Sequence, residues 1–288
     1  MRCCVTLSLI ILTSLLGISH DVFARPDMQP LGPNIADKGS DSYRFSIRMF
    51  NSADGQRHYK VWTAVPRKAA PAGGYPVLYM LDGNAAMNHL SPDLLQTLAA
   101  GNAPVLIAVG YQTPLPFDLN ARTYDYTPPQ QISDKRGRPA GGSPVFRQLL
   151  EHTIAPEAEK GLRINVQQRG IWGHSYGGLF ILDSYLSSHF FQRYYAASPS
   201  LRGDTPLMQQ MRDAAPLPLR TKRLVLMEGD GDTRAGVADK LERIERTIGQ
   251  MSGRGISVRY QLFPGLSHGP MFPASLDSAL MDMANLAP

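Results

Sequence analysis

Cysteine is nearly absent from this chain: there are two in 288 residues, Cys3 and Cys4, and both precede the first apolar run. That run, Val5 to Ile18, follows a positively charged Arg2. After it, Val22 and Ala24 stand at the −3 and −1 positions of a small-residue cleavage site before Arg25. A basic start, an apolar middle and a small-residue exit together predict a secretory signal peptide over residues 1–24. The apolar run is too short for a membrane span, and cysteines placed ahead of it do not make a lipoprotein signal. Once the segment is removed no thiol is left, which excludes a disulfide, a cysteine nucleophile and a cysteine metal site. An exported chain without disulfides points to a bacterial periplasm, with stability supplied by the core alone.

Dense basic runs are lacking too. The net charge of +5 survives loss of residues 1–24, because Arg2 and Asp21 cancel. Lys and Arg are scattered, without aromatic interleaving, so a nucleic-acid partner is not expected. The mild positive excess favours a small anionic substrate. There is no internal repeat and no low-complexity segment. What is present is a globular composition, 43% apolar and 18% charged, long enough for one large α/β unit.

Residues 25–42 are polar with Pro and Gly, and read as a linker or N-terminal arm ahead of a domain spanning 43–288. "YRFSIRMF" (Tyr43–Phe50) and "HYKVWTAV" (His58–Val65) alternate apolar with polar residues around a turn, the pattern of an antiparallel strand pair. The pattern then changes. "PVLYML" (Pro76–Leu81), "PVLIAVG" (Pro104–Gly110), "RGIWG" (Arg169–Gly173), Tyr194–Ala197 and "RLVLMEG" (Arg223–Gly229) are short apolar runs, as in strands buried on both faces. "SVRYQLF" (Ser257–Phe263) adds a last strand. Helical patterns separate them: Ala85–Ala100 with a break near Pro92, the stretch after Ser175, Val237–Met251, and a final one over about Pro273–Asn285. Buried strands alternating with helices predict an α/β fold, a mostly parallel central sheet covered by helices on both faces, with an antiparallel N-terminal strand pair. Residues 112–142 stand apart as a long polar, Pro-rich loop, expected to be a lid-like insertion. "SPVFRQLLEH" then starts a helix, with Ser143 as its N-cap and Pro144 at its first helical position.

The chemistry centres on "GHSYGG". Gly173-His174-Ser175-Tyr176-Gly177 fits G-x-S-x-G between an apolar strand and a helix. In that setting a tight turn, with glycines where side chains would clash, raises the serine hydroxyl above the sheet as a nucleophile. A serine needs an imidazole to take its proton, and in strand–turn–helix hydrolases the partners follow in the order Ser, acid, His. His20, His58, His89 and His152 precede Ser175, His174 is its neighbour, and His189 lies past the end of the following helix. His268 remains, in "FPGLSHGPM" after the last strand. The acid is expected in "EGDGDTR", with Asp232 preferred over Glu228 and Asp230, and a Ser–His pair without an acid left open. The same stretch faintly resembles a calcium loop, but Thr233 and Arg234 stand where further ligands are needed, so no metal or other cofactor is expected. Two N–H donors should stabilise the oxyanion. They are the backbone of Tyr176 and, in the turn "LDGNAAM", the backbone of Asn84 with Gly83 beside it.

Together "YMLDGNAAM", "RTYDYTP", "GGSPVFRQLLEHTIAPE", "GHSYGG", "AASPSL" and "FPGLSHG" resemble the esterase-D-like branch of the α/β-hydrolases. Within it they look most like the periplasmic siderophore esterases that open catecholate trilactones such as enterobactin and salmochelin. The resemblance covers Tyr43 to the C-terminus. It implies Ser175 as nucleophile, His268 as general base, and Asn84 and Tyr176 as oxyanion donors. It places Arg122 along the substrate site with Gly83, and Arg202 where relatives often carry an aromatic. The implied substrate is a small-molecule siderophore, with iron entering as part of that substrate. Arg122, Lys135, Arg136 and Arg138, on or beside the lid, would attract such an anion, unless Asp118, Asp125 and Asp134 neutralise them. A general carboxylesterase (feruloyl, acetyl or thioester) of the same fold, and a non-catalytic siderophore-binding protein, are the alternatives.

Overall fold

The change from alternating to continuous apolar strands marks the passage from the rim of a sheet to its middle. The computed structural model describes residues 27–201, 205–232 and 236–287. The segment 1–24 assigned to a signal peptide, and Arg202, therefore lie outside the described residues. The strands are β1 (Tyr43–Asn51), β2 (His58–Pro66), β3 (Tyr75–Leu81), β4 (Val105–Tyr111), β5 (Ile164–His174), β6 (Arg193–Ala197), β7 (Arg223–Gly229) and β8 (Val258–Phe263). They form one sheet in the order β1-β2-β4-β3-β5-β6-β7-β8. The pairs β1–β2 and β2–β4 are antiparallel and every other pair is parallel. The expected class, a mostly parallel sheet with an antiparallel leading pair, is the one found.

The helices are α1 (Ile35–Lys38), α2 (Gly83–His89), α3 (Pro92–Ala100), α4 (Leu119–Tyr126), α5 (Ser143–Leu149), α6 (Ala155–Ala158), α7 (Tyr176–Ser187), α8 (Pro206–Asp213), α9 (Pro216–Leu219), α10 (Val237–Gly253) and α11 (Met271–Met283). A π-helical turn, Leu150–Ile154, joins α5 to α6. Successive strand residues face opposite sides of the sheet, and two cores result. Tyr79, Leu81 and Ile171 pack with Phe146, Phe180 and Tyr185 on one face. Leu78, Met80 and Trp172 pack with Met87, Leu276 and Leu280 on the other. Among the described residues no helix is long and apolar enough to cross a membrane.

The break expected near Pro92 separates α2 from α3, with Ser91 capping α3 and Pro92 opening it. Local differences from the sequence expectations have physical causes. The stretch 112–142 is not loop throughout: Asp118 accepts from the Asn120 and Ala121 N–H groups and starts α4 inside it. Ser143 does not cap α5. It is the helix's first residue behind Gly142, and its Oγ donates to Asp183 at 2.7 Å. The arm before β1 holds α1, closed by a reciprocal capping box of Asn34 and Asp37.

Candidate active site

Strand register brings the functional turns together. Met80 lies opposite Trp172, His174 opposite Ala197, Ala197 opposite Met227, and Gly229 opposite Phe263. The turns leaving β3, β5, β6, β7 and β8 therefore line one edge of the sheet.

β5 ends at His174 and α7 begins at Tyr176, so Ser175 makes the turn by itself. Its φ of 62° and ψ of −115° fall where non-glycine residues rarely go. The strain is held by backbone bonds: the Ser175 N–H donates to Ala197 O at 3.0 Å, and its carbonyl accepts from Ser200 N and Leu179 N at 3.1 Å each. The crowding falls on only one of the two glycines of the five-residue pattern, and on Gly178 beyond it. A Cβ at Gly173 would lie 2.7 Å from the Gly177 backbone, and one at Gly178 would lie 2.8 Å from Ala197 O. At Gly177 an added Cβ would meet nothing nearer than 3.7 Å.

His268 arrives from the loop after β8. Its Nε2 lies 3.1 Å from Ser175 Oγ, close enough for proton transfer along a hydrogen bond. His174, buried beside it, supports this loop: its Nε2 lies 2.9 Å from the His268 carbonyl oxygen and the two rings are 4.6 Å apart. A carbonyl only accepts, so His174 Nε2 carries the proton. Burial first, then the neighbouring His268 and Arg122, push the His174 pKa well below that of an ordinary histidine, and its ring stays neutral.

The three carboxylates of the β7 turn have separate partners. Glu228 is buried and pairs with Lys240 at 2.7 Å, and burial raises its pKa. Asp230 accepts the Gly265 N–H at 2.6 Å. Asp232 accepts the backbone N–H of His268 at 3.3 Å, which makes it the carboxylate joined to the histidine residue itself. Asp230 and Asp232 tie the β7 turn to the histidine loop, while Glu228 ties β7 to α10.

The turn after β3 is locked from two sides. Asp82 sits at φ 51° as the residue before α2. Arg122 Nε and Nη2 each lie 2.8 Å from its two carboxylate oxygens, and the Asp82 N–H donates to Tyr126 Oη at 3.1 Å. Burial opposes the Arg122 charge, but the Asp82 carboxylate outweighs it and the pKa is raised. The Asn84 side chain turns away into β4: Oδ1 accepts from Tyr111 N at 2.8 Å, and Nδ2 donates to Tyr111 O and Thr113 O. Gly83 has no room for a side chain, since a Cβ would lie 2.6 Å from Gly110 N. Gly83 and Asn84 open α2 as Tyr176 opens α7, and the first N–H groups of a helix have no acceptor within it. Arg122, which grips the first turn from α4, also reaches the second: its guanidinium stands 5.6 Å from the Tyr176 ring.

A cavity of about 430 Å³ adjoins the serine. It runs from Tyr176 and Ser200 to Ile132 and Lys135 of the 112–142 stretch, with Leu179 and Leu207 as apolar lining. Lys135, in that stretch, is a cation at its wall. Arg138 is held by Asp134 at 2.5 Å, Asp118 caps α4 and Asp125 faces Arg57 at 3.1 Å. Among the described residues no three His, Cys, Asp or Glu side chains are grouped to hold a metal.

One residue at the centre was not visible in the sequence. Ser200 Oγ lies 2.9 Å from Ser175 Oγ. "AASPSL" places it just past a strand, but only the sheet order, with β6 beside β5, brings it to Ser175.

Comparison with known proteins gives the chain a family. Residues 52–283 match the family described as "Putative esterase". The chain belongs to this esterase family. It is 53% identical over 277 residues to the apo-salmochelin esterase of Escherichia coli O6:H1, covering 92% of this chain and 87% of that protein. It is 28% identical over 258 residues to the ferri-bacillibactin esterase BesA of Bacillus subtilis, covering 81% and 87%. The structure superposes on the enterobactin hydrolase IroE in complex with DFP with a TM-score of 0.81 at 53% identity, covering 88% of this chain and 99% of that one.

Proposed function

We propose that this esterase is exported and hydrolyses the ester bonds of a catecholate trilactone siderophore, with Ser175 as nucleophile and His268 as general base. The observation that carries the reading is the 3.1 Å approach of His268 Nε2 to Ser175 Oγ beside a cavity. The names of the relatives at 53% and 28% identity supply the substrate class. DFP, bound in the superposable hydrolase, is a reagent that phosphorylates activated serine hydroxyls, which suits a serine mechanism.

The geometry performs the reaction as follows. The Ser175 O–H bond breaks, its proton passes to His268 Nε2, and Oγ bonds to the lactone carbonyl carbon. The carbonyl π pair moves onto oxygen, where the N–H groups of Tyr176 and Asn84 are the donors. Collapse expels the alkoxide of the opened ester, which takes the proton from His268. Water then repeats the steps in reverse to free the carboxylate and Ser175. Asp232 holds His268 in place through the backbone N–H. Lys135 on the cavity wall favours an anionic ligand, whether the free trilactone or its iron complex. Export rests on the basic, apolar and small-residue sequence of residues 1–24, and a periplasmic location follows from it.

The test is mass spectrometry of the products from cyclic catecholate trilactones, with and without iron, using Ser175→Ala as control. The expected products are the linear trimer and then shorter fragments, each gaining one water per ester opened. Intact trilactone after long incubation, with a simple nitrophenyl ester cleaved, would remove the substrate assignment and leave a general esterase.

A further inference from the structure

Ser175 Oγ has one proton and two neighbours, His268 Nε2 at 3.1 Å and Ser200 Oγ at 2.9 Å. Those contacts cannot be satisfied independently. For His268 to act as base its Nε2 must be bare, so the Ser175 proton must point at it. The bond between the two hydroxyls then has one productive direction, from Ser200 to Ser175. In the opposite direction the Ser175 proton faces Ser200 and the imidazole has nothing to take.

We propose that Ser200 is a third hydroxyl of the catalytic centre, donating its proton to Ser175 Oγ and thereby aiming the Ser175 proton at His268. The proposal rests on Ser175 being the nucleophile, but on no particular substrate.

Its placement does not depend on the contact itself. The Ser200 N–H donates to Ser175 O at 3.1 Å, Ser198 N–H to Met227 O at 2.8 Å, and Leu201 N–H to Pro199 O at 2.7 Å. Pro199 stiffens the turn by fixing its own φ. Backbone bonds therefore hold residue 200 beside residue 175 whatever its side chain. The half-buried hydroxyl also lines the cavity, on the side from which an ester would approach.

The contact changes strength along the reaction. As the Ser175 O–H bond breaks toward His268 and the Oγ–carbon bond forms, Oγ passes through a state of partial negative charge. A donor aimed at it is strongest there and weakest at the finished ester, whose Oγ is a poor acceptor. In deacylation, Oγ again gathers charge as it leaves the carbonyl carbon, before His268 returns a proton to it. Ser200 keeps its own proton throughout. An interaction stronger in the transition states than in the states between them raises kcat and leaves substrate binding alone.

The experiment compares Ser200→Ala, Ser200→Cys and Ser200→Thr with the unaltered protein. It measures the second-order rate of labelling by an excess of a fluorophosphonate probe, and kcat and KM on a nitrophenyl ester. Thermal unfolding of each variant accompanies the rates. Ala removes the hydroxyl. Cys keeps the shape but is a weak donor, and Thr keeps the hydroxyl. Loss of one hydrogen bond at the reacting atom predicts labelling and kcat about tenfold slower for Ala and Cys. KM should stay unchanged, and Thr should recover most of the rate. Labelling of Ser200→Ala at the unaltered rate would overturn the proposal, as would Cys matching the unaltered protein, because shape alone would then suffice. Trilactones left intact by a protein that still reacts with the probe would remove the substrate assignment and leave this proposal standing. No labelling of Ser175 in the unaltered protein would remove both.

Discussion

At position 175 the backbone adopts a conformation that costs a serine about 1–3 kcal/mol, and the glycines around it show how that is sustained. The pattern G-x-S-x-G marks Gly173 and Gly177 alike, yet the demand on them differs. A Cβ on Gly173 runs into the Gly177 backbone, and one on Gly178 runs into Ala197 O and Pro199 Cα, at 2.8 and 2.9 Å. Ala197 O is the acceptor that holds the Ser175 N–H, so pushing it away releases the turn. Gly178→Ala is therefore expected to cut kcat at least about tenfold, a loss like that from misplacing catalytic groups, and to lower the melting temperature. Gly177→Ala should leave kcat within about threefold, and alanine's better fit in a helix should hold or slightly raise stability. Esterase kinetics and thermal unfolding of the two variants check both, and equal damage from each would show that the crowding has been misplaced. Local spacing pointed to Ser175 and, by elimination among seven histidines, to His268, two side chains that lie 3.1 Å apart. It did not reveal Gly178 or Ser200, whose neighbours lie some twenty residues away and are brought in by β6.

The secondary elements follow the same division. Buried strands β3, β4 and β7 were legible because unbroken apolar runs have few other uses. The order in which they pair was not, since pairing depends on partners remote in sequence. α4 was missed because its buried face is polar: Arg122, Thr123 and Asp125 occupy positions where a core-facing helix normally carries apolar residues. Arg122 shows why. Two of its donors grip both oxygens of Asp82, so the helix inside the supposed lid is what fixes the turn leading to Gly83 and Asn84. Removing one partner of a buried pair leaves an uncompensated charge, a loss of about 3–5 kcal/mol. Arg122→Lys loses the two-pronged grip, and Asp82→Asn loses the charge. Each should lower the melting temperature by at least about 5 °C and reduce kcat with little change in KM. A variant of Arg122 that keeps its melting temperature and kcat while KM rises would instead place the side chain on the substrate.

Across the whole molecule, the N-terminal strand pair and α4 are joined by one buried carboxyl, and this makes stability depend on pH. Asp125 lies between Tyr59 Oη at 2.9 Å, Tyr111 Oη at 3.0 Å and Arg57 Nε at 3.1 Å. Burial pushes its pKa from 3.8 up to about 7, against the pull of Arg57 and the two tyrosines. Between those values the unfolded chain has lost the proton and the folded one retains it. The stability contributed by this group is therefore complete below about pH 4 and is lost as pH rises through 7. Burial raises Glu151 and Glu228 as well, and they act in the same direction. His174 opposes them below its unfolded value of 6.5, because its folded pKa lies well under that. Above neutrality Lys222, lowered by burial to about 8, adds stability as pH rises from there toward 10.5. The melting temperature should consequently fall between about pH 6.5 and pH 8, where the carboxyls act without opposition. Asp125→Asn keeps the shape of the protonated acid and does not titrate, so much of that fall should vanish in the variant. Melting curves of both proteins across pH 5 to 9 decide it: parallel slopes between 6.5 and 8 would mean that Asp125 is ionised in the folded protein throughout, held as a carboxylate by Arg57.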